Sequence, residues 1–157
     1  MTDLDDLYDL IARAQAAPWG PGCSALWAQA ARVAEDLGRD EDALECYSNL
    51  VTAYTMGGEA TRVIAPFTWC DNMYRTRPDL FTDALKHSFA WQYKYVITAL
   101  RQVPTVPVQK CKDVLQQMRE LYLSLGDELS AVYIREYLLL YHFGEYEDAE
   151  KALSNWR

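Results

Sequence analysis

Little in this 157-residue chain is equipped for chemistry, and each scarcity closes off a class of function. There are two histidines, His87 and His142, and four cysteines, Cys23, Cys46, Cys70 and Cys111, far apart and without a CxxC pair. A zinc site draws on closely spaced ligand pairs, so the cysteines read as reduced thiols filling space as small hydrophobes, and no metal ligand is expected. No GxSxG elbow, GxxxxGK[ST] phosphate loop or HExxH pair occurs, so no catalytic residue, cofactor or enzymatic activity is expected either. His87 lies beside an apolar stripe and His142 beside Phe143, positions suited to a helix surface or cap rather than to a base. The adjacent carboxylates Glu35/Asp36 and Glu147/Asp148 flank helix ends, where capping and solubility account for them.

Long apolar runs are missing too: none approaches the roughly 20 residues that span a bilayer. The opening Met1-Thr2-Asp3-Leu4-Asp5-Asp6 is acidic where a secretory signal is basic. A cytoplasmic chain without membrane contact is the expectation. Positive charge is scarce overall. The formal charge of −8 repels nucleic acid and anionic lipid at long range, which makes nucleic acid an unlikely partner. Its distribution is uneven, at about −7 over residues 1–48, +4 over 49–112 and −5 over 113–157. A basic middle therefore sits between acidic ends.

Strand alternation is absent, and what is present is helical periodicity in a chain that is 50% hydrophobic, enough for one domain with a sizeable core. Thr2 and Asp5 resemble a capping box ahead of a stripe of Leu4, Leu7, Tyr8 and Ile11. Pro18 to Gly22 forms a loop, after which Ser24 is placed to cap a helix carrying Leu26, Trp27, Ala30, Val33, Ala34 and Leu37. Asp40 opens a third helix with Ala43, Tyr47, Leu50, Val51 and Tyr54 on one face and a polar face opposite, ending at Gly57-Gly58. Pro66 predicts a kink or a fresh start in the next segment, which Pro78-Asp79 ends. Phe81, Leu85, Phe89, Tyr93, Val96, Ile97 and Leu100 make the longest stripe, broken by Val103 to Pro107; Val108, Cys111, Leu115, Met118, Tyr122 and Leu125 follow on a one-sided helix. Residues 127–143 are apolar nearly all round, so that helix should be covered on most sides.

Three glycines punctuate these helices: Gly38, Gly126 and Gly144, each followed by acidic residues where the next helix presents free N–H groups. Around Gly38, Trp27 falls in one helix and Ala43 with Tyr47 in the next. On these residues the chain resembles the tetratricopeptide repeat family, a stack of helix pairs of about 34 residues each. The match is best from Ser24 to Gly57 and recurs at Gly144 to Ala149, although Ala30, Ala31 and Ala34 stand where the family usually has Leu, Gly and Tyr. Counting helix pairs forward from Gly38 makes the Gly144 turn fall out of phase, so the array is irregular or contains an extra helix. The resemblance implies an all-α fold, a TPR-like α-solenoid of stacked antiparallel hairpins with about seven or eight helices, forming a single domain over residues 1–157. A generic helical bundle is the competing architecture.

The same resemblance implies a protein or peptide partner, held as an extended peptide or helix in a concave groove lined by the first helix of each pair. Projected onto this chain, the inward positions are Ala28, Arg32 and Glu35, then Arg62 and Trp69, then Asp113, Gln116 and Glu120. The basic clamp that some members use on carboxyl-terminal peptides is not reproduced, because Ala28 stands where it needs a lysine. The different-class alternative is a regulatory domain that binds an anion or nucleic acid through the middle segment. There Arg62, Arg75, Arg77, Lys86, Lys94, Arg101, Lys110 and Lys112 interleave with Phe67, Trp69, Tyr74, Trp91, Tyr93 and Tyr95. Its bland counterpart is a solvated cationic face with core aromatics; a small helical enzyme is a distant third. The last helix, Glu147 to Arg157, carries Trp156 without a polar cap, so it is expected to pack on another protomer or on further repeats.

Overall fold

Helix propagation is cooperative, and a short helix persists only where an apolar face is covered by tertiary packing. In the computed structural model, which describes residues 3–131, that packing is all-helical. Among the described residues there are six complete α-helices and two 3₁₀ turns. The helices are α1 (Leu4–Ala16), α2 (Pro21–Asp36), α3 (Asp40–Met56), α4 (Ile64–Thr76), α5 (Asp83–Arg101) and α6 (Val108–Ser124), with 3₁₀ turns at Ala60–Val63 and Pro78–Leu80. The first turn of a further helix follows Asp127, whose carboxylate accepts from the Ser130 N–H at 3.0 Å. No helix among the described residues is long and apolar enough to cross a membrane. The Gly144 turn, His142 and the helices expected beyond residue 131 lie outside the described residues.

The chain divides into two compact units, Met1–Thr82 and Asp83–Arg157. In the first, α1 packs on α2, α2 on α3, and α3 on both the Ala60–Val63 turn and α4. In the second, α5 packs on α6.

Helix starts differ from expectation in two places. The capping box of α1 is built by Asp3 and Asp6 rather than Thr2 and Asp5, with the Asp6 N–H donating to Asp3 at 3.0 Å. α2 begins at Pro21 with Gly20 as its N-cap, not at Ser24. Proline suits a first helical position because its missing N–H would have no intrahelical partner. Gly20 has φ near 150°, and Ser24 is buried one turn in, donating its hydroxyl to the Gly20 carbonyl at 3.2 Å.

The expected turns at Gly38 and Gly126 are present, with φ of 68° and 77°. Each closes its helix with the same pair of bonds. Arg39 N–H donates to Ala34 O and Gly38 N–H to Glu35 O, both at 2.9 Å; Asp127 N–H donates to Tyr122 O and Gly126 N–H to Leu123 O, both at 3.0 Å.

Burial corrects three expected faces. Leu7, Leu10, Ile11 and Ala14 form the covered stripe of α1, while Leu4 and Tyr8 are exposed and the Tyr8 hydroxyl accepts from Arg39 at 3.1 Å. Helix α3 is not one-sided, because Leu44, Cys46 and Ala53 are buried along with Ala43, Leu50 and Val51. It lies between two neighbours and needs an apolar surface for each. Phe81 precedes α5 rather than belonging to its stripe, and it is buried edge-on to Tyr74 with ring centroids 5.0 Å apart. Helix α6 has the one-sided pattern expected, with Cys111, Val114, Leu115, Met118, Leu121 and Tyr122 buried, although Val108 is exposed.

Candidate functional site

Because α3 has α2 on one side and the Ala60–Val63 turn with α4 on the other, its remaining surface floors the space between those two walls. That space is a cavity of about 720 Å³. Each wall is a stripe at helical spacing. α2 supplies Ala28 and Arg32, α3 supplies Tyr47, Leu50 and Tyr54, and the opposite wall supplies Arg62, Ala65, Pro66 and Trp69, with Thr61 and Ile64 beside them. The room comes from small side chains at Ala28 and Ala65. Rigidity comes from the rings. Tyr47 and Trp69 stack at 4.4 Å between centroids with planes 28° apart, an arrangement that joins α3 to α4 and presents flat aromatic surface.

The polar groups of this site are few. The Tyr47 phenol is pushed well above the usual tyrosine range, first by burial and then by the neighbouring Glu35 carboxylate. A neutral donor therefore persists there at physiological pH. Arg32 is exposed and makes no ion pair among the described residues. The Arg62 guanidinium lies 3.7 Å from Glu59, longer than a charge-assisted hydrogen bond. No carboxylate lines the cavity. Volume, mostly apolar lining and a few convergent polar groups are the marks of a ligand groove.

Four of the groove positions projected from the sequence, Ala28, Arg32, Arg62 and Trp69, line this one cavity, whereas Glu35 does not line it and acts only on the Tyr47 hydroxyl. The other three sit on the exposed side of α6 in the second unit, tied up locally: Gln109 donates to Asp113 at 3.0 Å and Gln116 to Glu120 at 3.3 Å. Sequence reasoning assigned Tyr47, Leu50 and Tyr54 to a core face and Pro66 to a kink, and so missed their part in the groove. A signal was available: Tyr47 and Tyr54 recur two turns apart, and each ring carries a hydroxyl that favours a place at the edge of a core.

The basic middle segment does not converge in the same way. Arg75 pairs with Asp71 at 2.6 Å, and Arg77 with Asp79 at 3.1 Å and Asp40 at 3.3 Å. Lys94 lies 4.8 Å above the Trp91 ring, whose indole N–H donates to the Tyr95 hydroxyl at 3.2 Å. Phe67 and Tyr93 are buried. Several of these aromatics pack, and Arg75 and Arg77 have carboxylates of their own.

The four cysteines are unpaired and buried, and burial pushes the Cys46 and Cys70 thiols up to about 12. Such thiols are poor nucleophiles near neutral pH. His87 sits on an exposed part of α5, its Nδ1 2.8 Å from the Asp83 carbonyl and its ring edge-on to Tyr122. Among the described residues no group of three His, Cys, Asp or Glu side chains is disposed to hold a metal ion. Comparison of the chain with protein-family models, curated protein sequences and solved structures finds no match.

Proposed function

We propose that this chain is a non-catalytic protein-interaction module, a cytoplasmic TPR-like scaffold or sensor whose first unit holds a peptide or partner helix in the α2–α3–α4 groove. The observation that carries the reading is the convergence of Ala28, Arg32, Arg62 and Trp69 on one cavity of about 720 Å³. Antiparallel neighbours joined by the Gly38 turn, with small residues at the α2–α3 contact, support the repeat-like architecture. Four reduced, buried thiols fit a reducing compartment.

The competing reading, an anion or nucleic-acid surface on the basic middle, loses its main support in the ion pairs of Arg75 and Arg77. A displayed random-peptide library tests the proposal. Peptides enriched on the parent chain should bind Trp69→Ala at least tenfold more weakly while binding Tyr8→Ala, outside the groove, as well as the parent. Enrichment of no peptide, or equal binding to Trp69→Ala, would sink it.

A further inference from the structure

The geometry points to a particular occupant for this groove: an internal peptide segment with one large apolar side chain seated over Ala28 and acidic side chains on either flank, meeting Arg32 and Arg62. The inference rests on the interaction reading above and adds the chemistry of the partner.

Three observations carry it. The first is volume. Ala28 and Ala65 face into a cavity of about 720 Å³ whose other contributors include the stacked Tyr47–Trp69 pair. An aliphatic or aromatic side chain entering there is taken out of water against ring faces and methyl groups. The second is charge. The cavity has an arginine on each wall, Arg32 from α2 and Arg62 from the Ala60–Val63 turn, and no carboxylate in its lining. Arg32 makes no ion pair among the described residues, and Arg62 has one carboxylate at 3.7 Å, so both guanidinium groups keep donors for a ligand. Glu35 on α2 does not line the cavity and acts instead on the Tyr47 hydroxyl.

The third observation is where the positive charge is not. A terminal carboxylate held by a basic cluster needs cations side by side at one point, whereas here Ala28 leaves an uncharged gap on the α2 wall and the two arginines stand on different elements. The complementary ligand therefore carries its negative charges on two side chains that bracket an apolar one. The chain's net charge of −8 opposes such a ligand at long range, so the complementarity works at contact rather than through steering.

Three synthetic peptides of twelve residues, acetylated and amidated so that neither terminus is charged, test this. Each carries one phenylalanine flanked four residues away on both sides by glutamate, glutamine or lysine. Binding is followed by the indole N–H resonance of Trp69, assigned with Trp69→Phe. The glutamate peptide should bind about tenfold more tightly than the glutamine peptide, as two partly desolvated ion pairs allow, and the lysine peptide should bind weakest. The double variant Arg32→Gln with Arg62→Gln should erase the glutamate preference, so that the glutamate and glutamine peptides bind it alike. Ala28→Trp, which fills the gap, should lose all three peptides while keeping the parent's helical circular dichroism. If glutamate and glutamine peptides bind alike, or the preference survives the double arginine variant, the acidic-flank inference is overturned and the groove reading stands. If no peptide moves the Trp69 resonance, both fall.

Discussion

The α2–α3 pair of the first unit and the α5–α6 pair of the second are both antiparallel hairpins, yet they are built from different materials. In the first, small residues outnumber large ones at buried positions: Ala30, Ala31 and Ala34 on α2, Ala43, Cys46 and Ala53 on α3, beside Leu44, Leu50 and Val51 and with Trp27 the one large ring. In the second they are mostly large: Phe89, Tyr93, Val96 and Ile97 on α5, Leu115, Met118, Leu121 and Tyr122 on α6. Small side chains bring helix axes toward the short end of the usual 8–10 Å range and leave little spare volume, whereas large ones separate the axes and fill the space with bulk. The connections match: the first pair turns through the three residues Leu37, Gly38 and Arg39, the second through a longer loop containing Pro104 and Pro107. The first pair should therefore tolerate added volume least, and the second should suffer most from lost volume.

Five predictions break or sharpen that contrast. The largest effect is expected where the first pair departs from its own rule. Trp27, 3% exposed, sits among alanines, and Trp27→Ala should cost about 3–5 kcal/mol in chemical denaturation. In the second unit, Met118 is fully buried, and Met118→Ala should cost about 2–5 kcal/mol. A loss below ~1 kcal/mol at Met118 would mean that bulk there is not close-packed.

Next comes added volume. Ala43 is fully buried in the same cluster as Trp27, so Ala43→Leu should cost about 1–3 kcal/mol. Combined with Trp27→Ala, it should cost less than the two losses added, because the longer side chain partly refills the vacated space. Strict additivity within ~0.3 kcal/mol would separate the two sites and remove the strongest support for a repeat-like pair.

The turns should give smaller, cleaner effects. An added Cβ at Gly38 or Gly126 meets nothing within 4 Å, so only the left-handed backbone resists substitution. Gly38→Ala and Gly126→Ala should each cost about 1 kcal/mol, and alike.

Mildest at neutral pH are the thiols. Cys46 and Cys70 rise from 9.0 to about 12 through burial, whereas Cys111 is raised less freely because Arg101 pulls against burial. Native alkylation should label Cys111 ahead of the other two. A folded pKa above the unfolded one gives stability that is complete below pH 9 and declines toward pH 12, since the unfolded chain loses those protons first. A melting temperature that stays level from pH 9 to 12 would contradict the burial of both thiols.

Much of the helical pattern was legible because burial follows a 3.6-residue period wherever one face is covered: Leu115, Met118 and Tyr122 are buried as that period demands. Gly38 and Gly126 were legible for a different reason, the backbone conformation that other residues reach only at a cost. What stayed hidden depends on partners distant in sequence. Tyr8 continues an apolar stripe by spacing, yet its hydroxyl meets Arg39 from 31 positions away and the ring stays exposed. The second buried side of α3 was unreadable because it exists only once α4 folds back on it. Helix starts failed where two candidates competed: Ser24 looks like a cap, but proline at position 21 starts the helix earlier. At the groove, Arg32, Arg62 and Trp69 came from the family-like register, whereas Tyr47 and Tyr54 read as core because nothing local distinguishes a ring that closes a core from one that walls a cleft.

Gly57 closes α3, and a Cβ placed on it would come within 2.8 Å of the Ala53 carbonyl oxygen on its own helix, and within 3.3 Å of the Gly20 nitrogen and 3.4 Å of the Gly20 Cα in the loop that joins α1 to α2. Two bare backbones thus meet as a seam. The wall that carries Arg62 begins three residues after Gly57, at Ala60, so its starting point is registered against a loop that contributes no side chain to the cavity. In mechanical terms the α1–α2 loop is a datum from which the cleft is dimensioned. Gly57→Val would press on both the last turn of α3 and that reference, altering the spacing of the two arginines without touching either one. A change at a position with no ligand contact can in this way retune what the cleft accepts.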